Sequence, residues 1–142
     1  MIGQMDGGLD RFLKAQDGVY GRALAEVAAG AKQSHWMWFI FPQLRGLGRS
    51  PMAERFGIAD LEEAGRYLAD PVLGPRLVGI CRALLGQPDR DVVAVFGAVD
   101  AQKLQSCATL FARVPGADPV FAEILQAFFG GRVCARTIAA EG

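Results

Sequence analysis

The chain predicts an all-α fold, a compact single-domain bundle of about six helices around an aromatic-rich segment, and three observations carry that expectation. Apolar residues recur at three- and four-residue spacing along most of the chain, the mark of helices with one buried face. Asp-Pro pairs, glycines and a Pro-Gly pair punctuate those runs where helices start and stop. Outside a wholly apolar stretch around Trp36, nothing alternates polar and apolar residues over the length of a strand. A chain of 142 residues is long enough to bury one sizeable core unaided by metals or cross-links, so one domain over 1–142 is expected.

Leu9, Phe12 and Leu13, then Tyr20, Leu24 and Val27, open the helical pattern, with Gly18 and Gly21 weakening its middle. Around Trp36 periodicity does not separate a buried strand from a buried helix, but Ser34 as N-cap and Pro42 as a stop favour a short helix. Met52 to Phe56 follows Pro51 as another short run. Asp60 with Glu63 three residues on fits a capping box, and Leu61, Ala64 and Leu68 mark the helix face behind it. Asp70-Pro71 introduces a helix lined by Leu73, Leu77, Ile80 and Leu84 and stopped by Gly86; Gly74 and Pro75 allow a later start. Asp91 opens a turn of helix from Val92 to Phe96, which Gly97 closes. Asp100 is expected to cap a longer helix with the stripe Leu104, Cys107, Phe111 and Val114, ended by Pro115-Gly116. Asp118-Pro119 repeats the start signal, and Phe121, Ile124, Leu125 and Phe128 give the last apolar face before Gly130-Gly131.

Composition narrows the partners. Fifteen basic residues balance fifteen acidic ones and no basic run exists, so duplex nucleic acid is not expected. The longest uncharged stretch, Gln33 to Leu44, is too short to cross a bilayer and contains a proline, so no membrane span is expected. Met1 to Asp6 has neither a basic start nor an apolar core, which argues against a secretory signal and for the cytoplasm. Cys81, Cys107 and Cys134 are odd in number and widely spaced, and with one histidine the usual zinc ligand sets cannot form. They read as buried thiols in a reducing compartment, and no cofactor is expected. Oligomeric state is not legible here.

Chemistry, if there is any, concentrates in residues 31–48, which hold the lone histidine and both tryptophans between Lys32 and Arg45. His35, set among indoles, is expected to be desolvated, with its titration displaced. It reads either as a packed core histidine or as the lining of a ligand pocket, where it would handle a proton against a carboxylate such as Asp100. Trp36 and Trp38 are two apart and cannot share one helix face, so one is expected in the core and the other as a platform for a planar ligand or an aromatic lid, with core the simpler reading for either alone. Gly46-Leu47-Gly48-Arg49-Ser50 lacks Walker or Rossmann spacing, yet its backbone, with Arg45 and Arg49, suits an anion. Ser34 and Gln43 flank the aromatic string. Asp100, Lys103, Ser106 and Thr109 follow one side of a helix, most simply a solvated stripe. Lys103 in a first turn opposes the helix dipole, which suggests pairing with a ligand anion or a buried acid. The candidate catalytic residues are thus His35, Asp100 and Lys103, and the candidate ligand contacts are Lys32, Ser34, Trp36, Trp38, Gln43, Arg45, Gly46, Gly48 and Ser50. Gln16 and Tyr20, one turn apart, read either as polar tips in the same cavity or as surface residues.

The string Ser34-His35-Trp36-Met37-Trp38-Phe39-Ile40-Phe41-Pro42-Gln43, with Gly46-Leu47-Gly48-x-Ser50 and Phe56-Gly57-Ile58, resembles a bacterial family catalogued as domain-of-unknown-function 1810, whose members are sometimes mislabelled calpastatin. Arg11-Phe12, Leu73-Gly74-Pro75-Arg76-Leu77, Phe96-Gly97-x-x-Asp100-x-x-Lys103-Leu104, Thr109-Leu110-Phe111 and Phe128-Phe129-Gly130-Gly131 extend the resemblance over nearly the whole chain. It implies a small helical intracellular domain with no assigned activity. The chain departs from it after the glycines, with Cys134 where an Asp is expected.

Two classes of function follow. In one, a pocket binds, and in a stronger form hydrolyses, a small anionic ligand, nucleotide-derived or ADP-ribosyl, with the cations stabilising phosphate. In the other, the domain is a non-enzymatic interaction module and the aromatic segment is its folding core. Accessibility of His35 and a nearby cation in a shared cavity separates them.

Overall fold

The computed structural model describes residues 8–87 and 91–141. These form α1 (Asp10–Gln16), α2 (Tyr20–Ala28), α3 (Met37–Ile40), α4 (Pro51–Phe56), α5 (Leu61–Ala69), α6 (Leu73–Leu85), α7 (Val92–Phe96), α8 (Ala98–Ala112), α9 (Val120–Phe129) and α10 (Ala135–Glu141). The all-α class holds, with ten helices among the described residues instead of about six. The only pairing of extended backbone among them is an isolated parallel bridge between Leu44 and Ile58. Met1 to Asp6, read above for a signal, lies outside the described residues. No helix among those described is long and apolar enough to cross a membrane.

Short helices persist because several carry a cap of their own. Ser50 accepts the Ala53 N–H at 3.1 Å ahead of Pro51, and Asp60 accepts the Glu63 N–H at 2.8 Å. Asp91 accepts from Val93 and Ala94. Each such cap contributes about 1 kcal/mol. Other expected caps act differently. Asp70 accepts from the N–H groups of Val72 and Leu73, and Asp118 from that of Val120, where α6 and α9 begin. Ser34 does not cap α3, which starts after Trp36. Asp100 does not cap α8: Gly97 precedes that helix at φ +86°, a left-handed setting suited to glycine, and the Asp100 carboxylate goes to side-chain partners instead.

α8 is the centre of the molecule, buried at Ala101, Leu104, Cys107, Ala108, Leu110 and Phe111 and packed by α5, α7, α9 and α10. Burial on more than one face is what a helix at the core of a bundle shows. Aromatic rings continue the core: Phe12 meets Tyr67 edge-on at 5.1 Å, Tyr67 meets Phe111 at 5.3 Å, and Phe111 meets Phe121 at 5.6 Å. A second group joins Trp36, Phe41 and Phe96. The 36–41 segment feeds both, because Phe39 packs on Phe56 in the first group. Gln16 is buried; its amide donates to the Phe39 carbonyl at 2.8 Å and the Tyr67 hydroxyl at 3.0 Å, while its carbonyl accepts from Arg76. Tyr20 donates to the Arg76 carbonyl at 2.6 Å. Both therefore brace the packing of α1 and α2 on α6.

Candidate functional site

The aromatic segment is tied to α2 by one carboxylate. Glu26 accepts from the Gln33 N–H at 2.8 Å, the Ser34 N–H at 3.0 Å, the Ser34 hydroxyl at 2.6 Å and the Trp36 indole N–H at 2.9 Å. Desolvation opposes the charge, but these donors outweigh it and hold the Glu26 carboxyl at about 2. Trp36 is wholly buried, so its faces meet protein and not solvent. His35, next to it, is exposed. The expected desolvated imidazole is thus corrected: adjacent residues of this loop turn to opposite sides, and the larger apolar area of the indole gains more from burial.

Lys32 is anchored through its N–H to the Val95 carbonyl. Its ammonium pairs with Asp100 Oδ2 at 3.1 Å and lies 5.1 Å from the centre of the Trp36 ring. Lys103 pairs with Asp100 Oδ1 at 3.5 Å and lies 4.8 Å from the centre of Trp38, which is half-buried. The structure therefore brings together Lys32, Asp100, Lys103 and both tryptophans, with one carboxylate serving two cations. Partly desolvated ammonium groups over indole faces gain about 1–2 kcal/mol each from the ring.

Beside this row runs a groove of about 190 Å³ between the loop bearing Gln43, Leu47 and Gly48, the α8 residues Val99, Gln102, Lys103 and Ser106, and Cys134 and Arg136. A second depression of about 300 Å³ adjoins it and shares Gln102, Ser106, Cys134 and Arg136. The tail is docked by α8: Gln105 donates to the Arg132 carbonyl at 2.9 Å, and Thr109 accepts the Cys134 N–H at 2.9 Å. Arg136 reaches across the groove to the Leu47 carbonyl at 3.0 Å. The Lys103, Ser106, Thr109 stripe, most simply solvated in sequence, is thus the groove wall and the seat of the tail.

Of the remaining predicted contacts, only Gln43 and Gly48 line this groove. Arg45 is spent on the Glu54 and Gly57 carbonyls, Ser50 on capping α4, and Gly46 occupies an exposed turn at φ +97°. Gln102, Cys134 and Arg136 were not anticipated as groove residues. The signal that could have found Cys134 was the polar stripe of α8, which needs a partner segment.

The three thiols are not alike. Desolvation pushes Cys81 and Cys107 up, deep in the core. Burial acts the same way on Cys134, but the Ser106 and Thr137 hydroxyls and the N–H groups of Thr137 and Arg136 outweigh it and lower its pKa. No cluster of three or more His, Cys, Asp or Glu suited to a metal ion occurs among the described residues.

Fold and groove together define a small all-α protein with a polar, cation-flanked groove along its central helix. The chain belongs to the family described as protein of unknown function (DUF1810), whose model matches residues 6–140. It is similar to the conserved hypothetical protein Rv1873 from Mycobacterium tuberculosis, known from a crystal structure at 1.38 Å. The two share 46% identity and a TM-score of 0.91 over 93% of this chain and 94% of that one. Comparison with curated proteins finds no match.

Proposed function

We propose that the groove along α8 binds a small anionic ligand, one that presents a phosphate or carboxylate to Lys103 and Arg136. The observation that carries this is the charge balance: Lys32, Lys103 and Arg136 stand in or beside the groove, and Asp100 is the one carboxylate paired with any of them among the described residues. An excess of positive charge in a concave, partly desolvated site attracts anions. Gln43, Gln102 and Ser106 add hydrogen-bonding groups. The volume suits a phosphate-bearing fragment better than a drug-sized molecule, whose pockets run from about 300 Å³ upward. For a nucleotide-derived ligand, stacking would fall to Trp38, because Trp36 is buried. Hydrolysis has weaker support, since Asp100 commits both oxygens to ammonium groups and His35 stands outside the groove lining.

The interaction-module reading draws on one observation, a shallow, mostly apolar depression of about 490 Å³ lined by Leu61, Gly65, Ala69, Val114 and Pro115 with Glu62 and Arg66. Titration with inorganic phosphate, sugar phosphates and nucleoside diphosphates, followed by calorimetry and thermal melting, separates the two. Ligand at about 100 times its Kd adds about 2.7 kcal/mol of stability. Binding that disappears in Lys103→Ala and Arg136→Ala is the expected result. An unmoved melting temperature across the whole series overturns the groove reading.

A further inference from the structure

We infer that the anion taken by this groove is amphipathic: its charged head sits between Lys103 and Arg136, and its body is a short aliphatic chain lying on Val99 and Leu47. The inference rests on the anion-groove reading for the head and adds the chemistry of the rest of the ligand. What carries it is the company the cations keep. Val99 and Leu47 line the same depression as Lys103 and Arg136. Val99 is 67% exposed, the most open large apolar side chain among the described residues.

Folding gives no reason for a valine at that position. A β-branched side chain loses χ1 freedom in a helix, so valine in α8 costs helicity, and at this exposure it recovers little by burial. A ligand chain laid over it supplies the burial that the protein alone does not. The opposite wall is rigid. Leu47 is partly buried and packed on the core, and Arg136 donates to its carbonyl at 3.0 Å, which fixes a cation and an apolar wall relative to each other.

The spacing sets the size of the body. Val99 and Lys103 stand four residues apart on one face of α8, about 6 Å along its axis, a distance that a chain of a few carbons spans. Lys103 keeps donors for the head, since an ammonium carries three N–H groups and Asp100 is its ion-pair partner at one oxygen. No aromatic side chain lines the groove, and the Lys103 ammonium already lies over the Trp38 ring, 4.8 Å from its centre. A planar base therefore finds no stacking partner within the lining, whereas an alkyl chain needs only the two apolar walls.

The test is NMR titration of the intact chain with acetate and butanoate, and with methyl and propyl phosphate. Within each pair the longer member should bind about tenfold more tightly, since each methylene buried contributes up to about fourfold. Val99→Thr keeps the shape but puts a hydroxyl in place of a methyl, and should cut that gain to about threefold. Val72→Thr alters another exposed valine, which lines neither depression of the groove, and should keep the full gain. Equal affinity for acetate and butanoate, or a gain that Val99→Thr leaves intact, overturns the inference. 1-Butanol carries the same body without the charge and should bind far more weakly than butanoate. Acetate and phosphate that bind with no gain from chain length defeat this inference alone. Butanol that matches butanoate, and weakens in Val99→Thr, defeats the anion reading and leaves the aliphatic contact standing. No binding by any probe defeats both.

Discussion

At the level of single residues, Glu26 and its neighbours show how little of the site's orientation the sequence carries. Residue types pointed to the 31–48 segment, and the structure does concentrate contacts there, but which of His35 and Trp36 faces inward depends on an acid from another helix. Glu26 removes one uncertainty by accepting the Trp36 indole N–H. Glu26→Ala should cost about 1–3 kcal/mol, the penalty for leaving that buried donor unpaired. Its pH dependence has a defined sign. The folded-state pKa, about 2, lies below the ordinary 4.5, so the carboxylate stabilises the fold above 4.5 and loses that contribution as pH falls from about 4.5 to about 2. Melting of the wild type and Glu26→Gln should therefore differ most near neutrality and converge toward pH 2; a constant gap would show that the charge is not what holds the loop. Trp36→Ala should cost about 3–5 kcal/mol, as truncation of a buried aromatic does, and Trp38→Ala less, because Trp38 is only half-buried. Paired denaturant titrations read the order directly.

At the level of elements, the apolar stripes of α1, α2, α5, α6 and α9 were legible because each is long enough for its period to show. The short helices α3, α4 and α7 have no room for a stripe and were marked only by the cap and stop residues around them, whereas α10, beyond Gly130-Gly131, was not anticipated. Asp100 was misplaced for a related reason: an acid near a helix start looks like a cap until Gly97, at positive φ, is seen to begin the helix. Gly74 illustrates a constraint invisible to periodicity. It lies within α6, where alanine would improve intrinsic helicity by about 1 kcal/mol. A Cβ there would meet the Leu68 carbonyl oxygen at 2.1 Å, and the obstacle is backbone, which cannot swing aside. Gly74→Ala should therefore lower stability by about 1–3 kcal/mol despite the better helix former, as overpacking does. A melting temperature raised by this substitution would show that α5 and α6 can separate freely.

At the scale of the molecule, the groove joins segments that no local pattern connects, since Arg136 reaches a carbonyl 89 residues away. That is why Lys103, Gln43 and Gly48 could be picked out by type while Arg136 and Cys134 could not. The chain carries no formal net charge, so any attraction for anions is a local imbalance and not a property of the whole surface. Asp100 sets that imbalance by neutralising part of the Lys32 and Lys103 field. Asp100→Asn removes the shared counter-charge and should shift two properties in opposite directions. Stability should fall by about 1–3 kcal/mol, because two partly desolvated ammonium groups lose their shared counter-charge and are left with one amide oxygen between them. Affinity for inorganic phosphate should rise several-fold at low ionic strength, and the gain should shrink as added salt shortens the Debye length to about 8 Å at 0.15 M. Thermal melting and phosphate calorimetry at two salt concentrations measure both. A variant that loses stability yet binds phosphate no more tightly than the wild type at low salt would mean that the Lys–Asp–Lys row serves only the packing of α8 against the aromatic segment, and the anion argument would lose its basis.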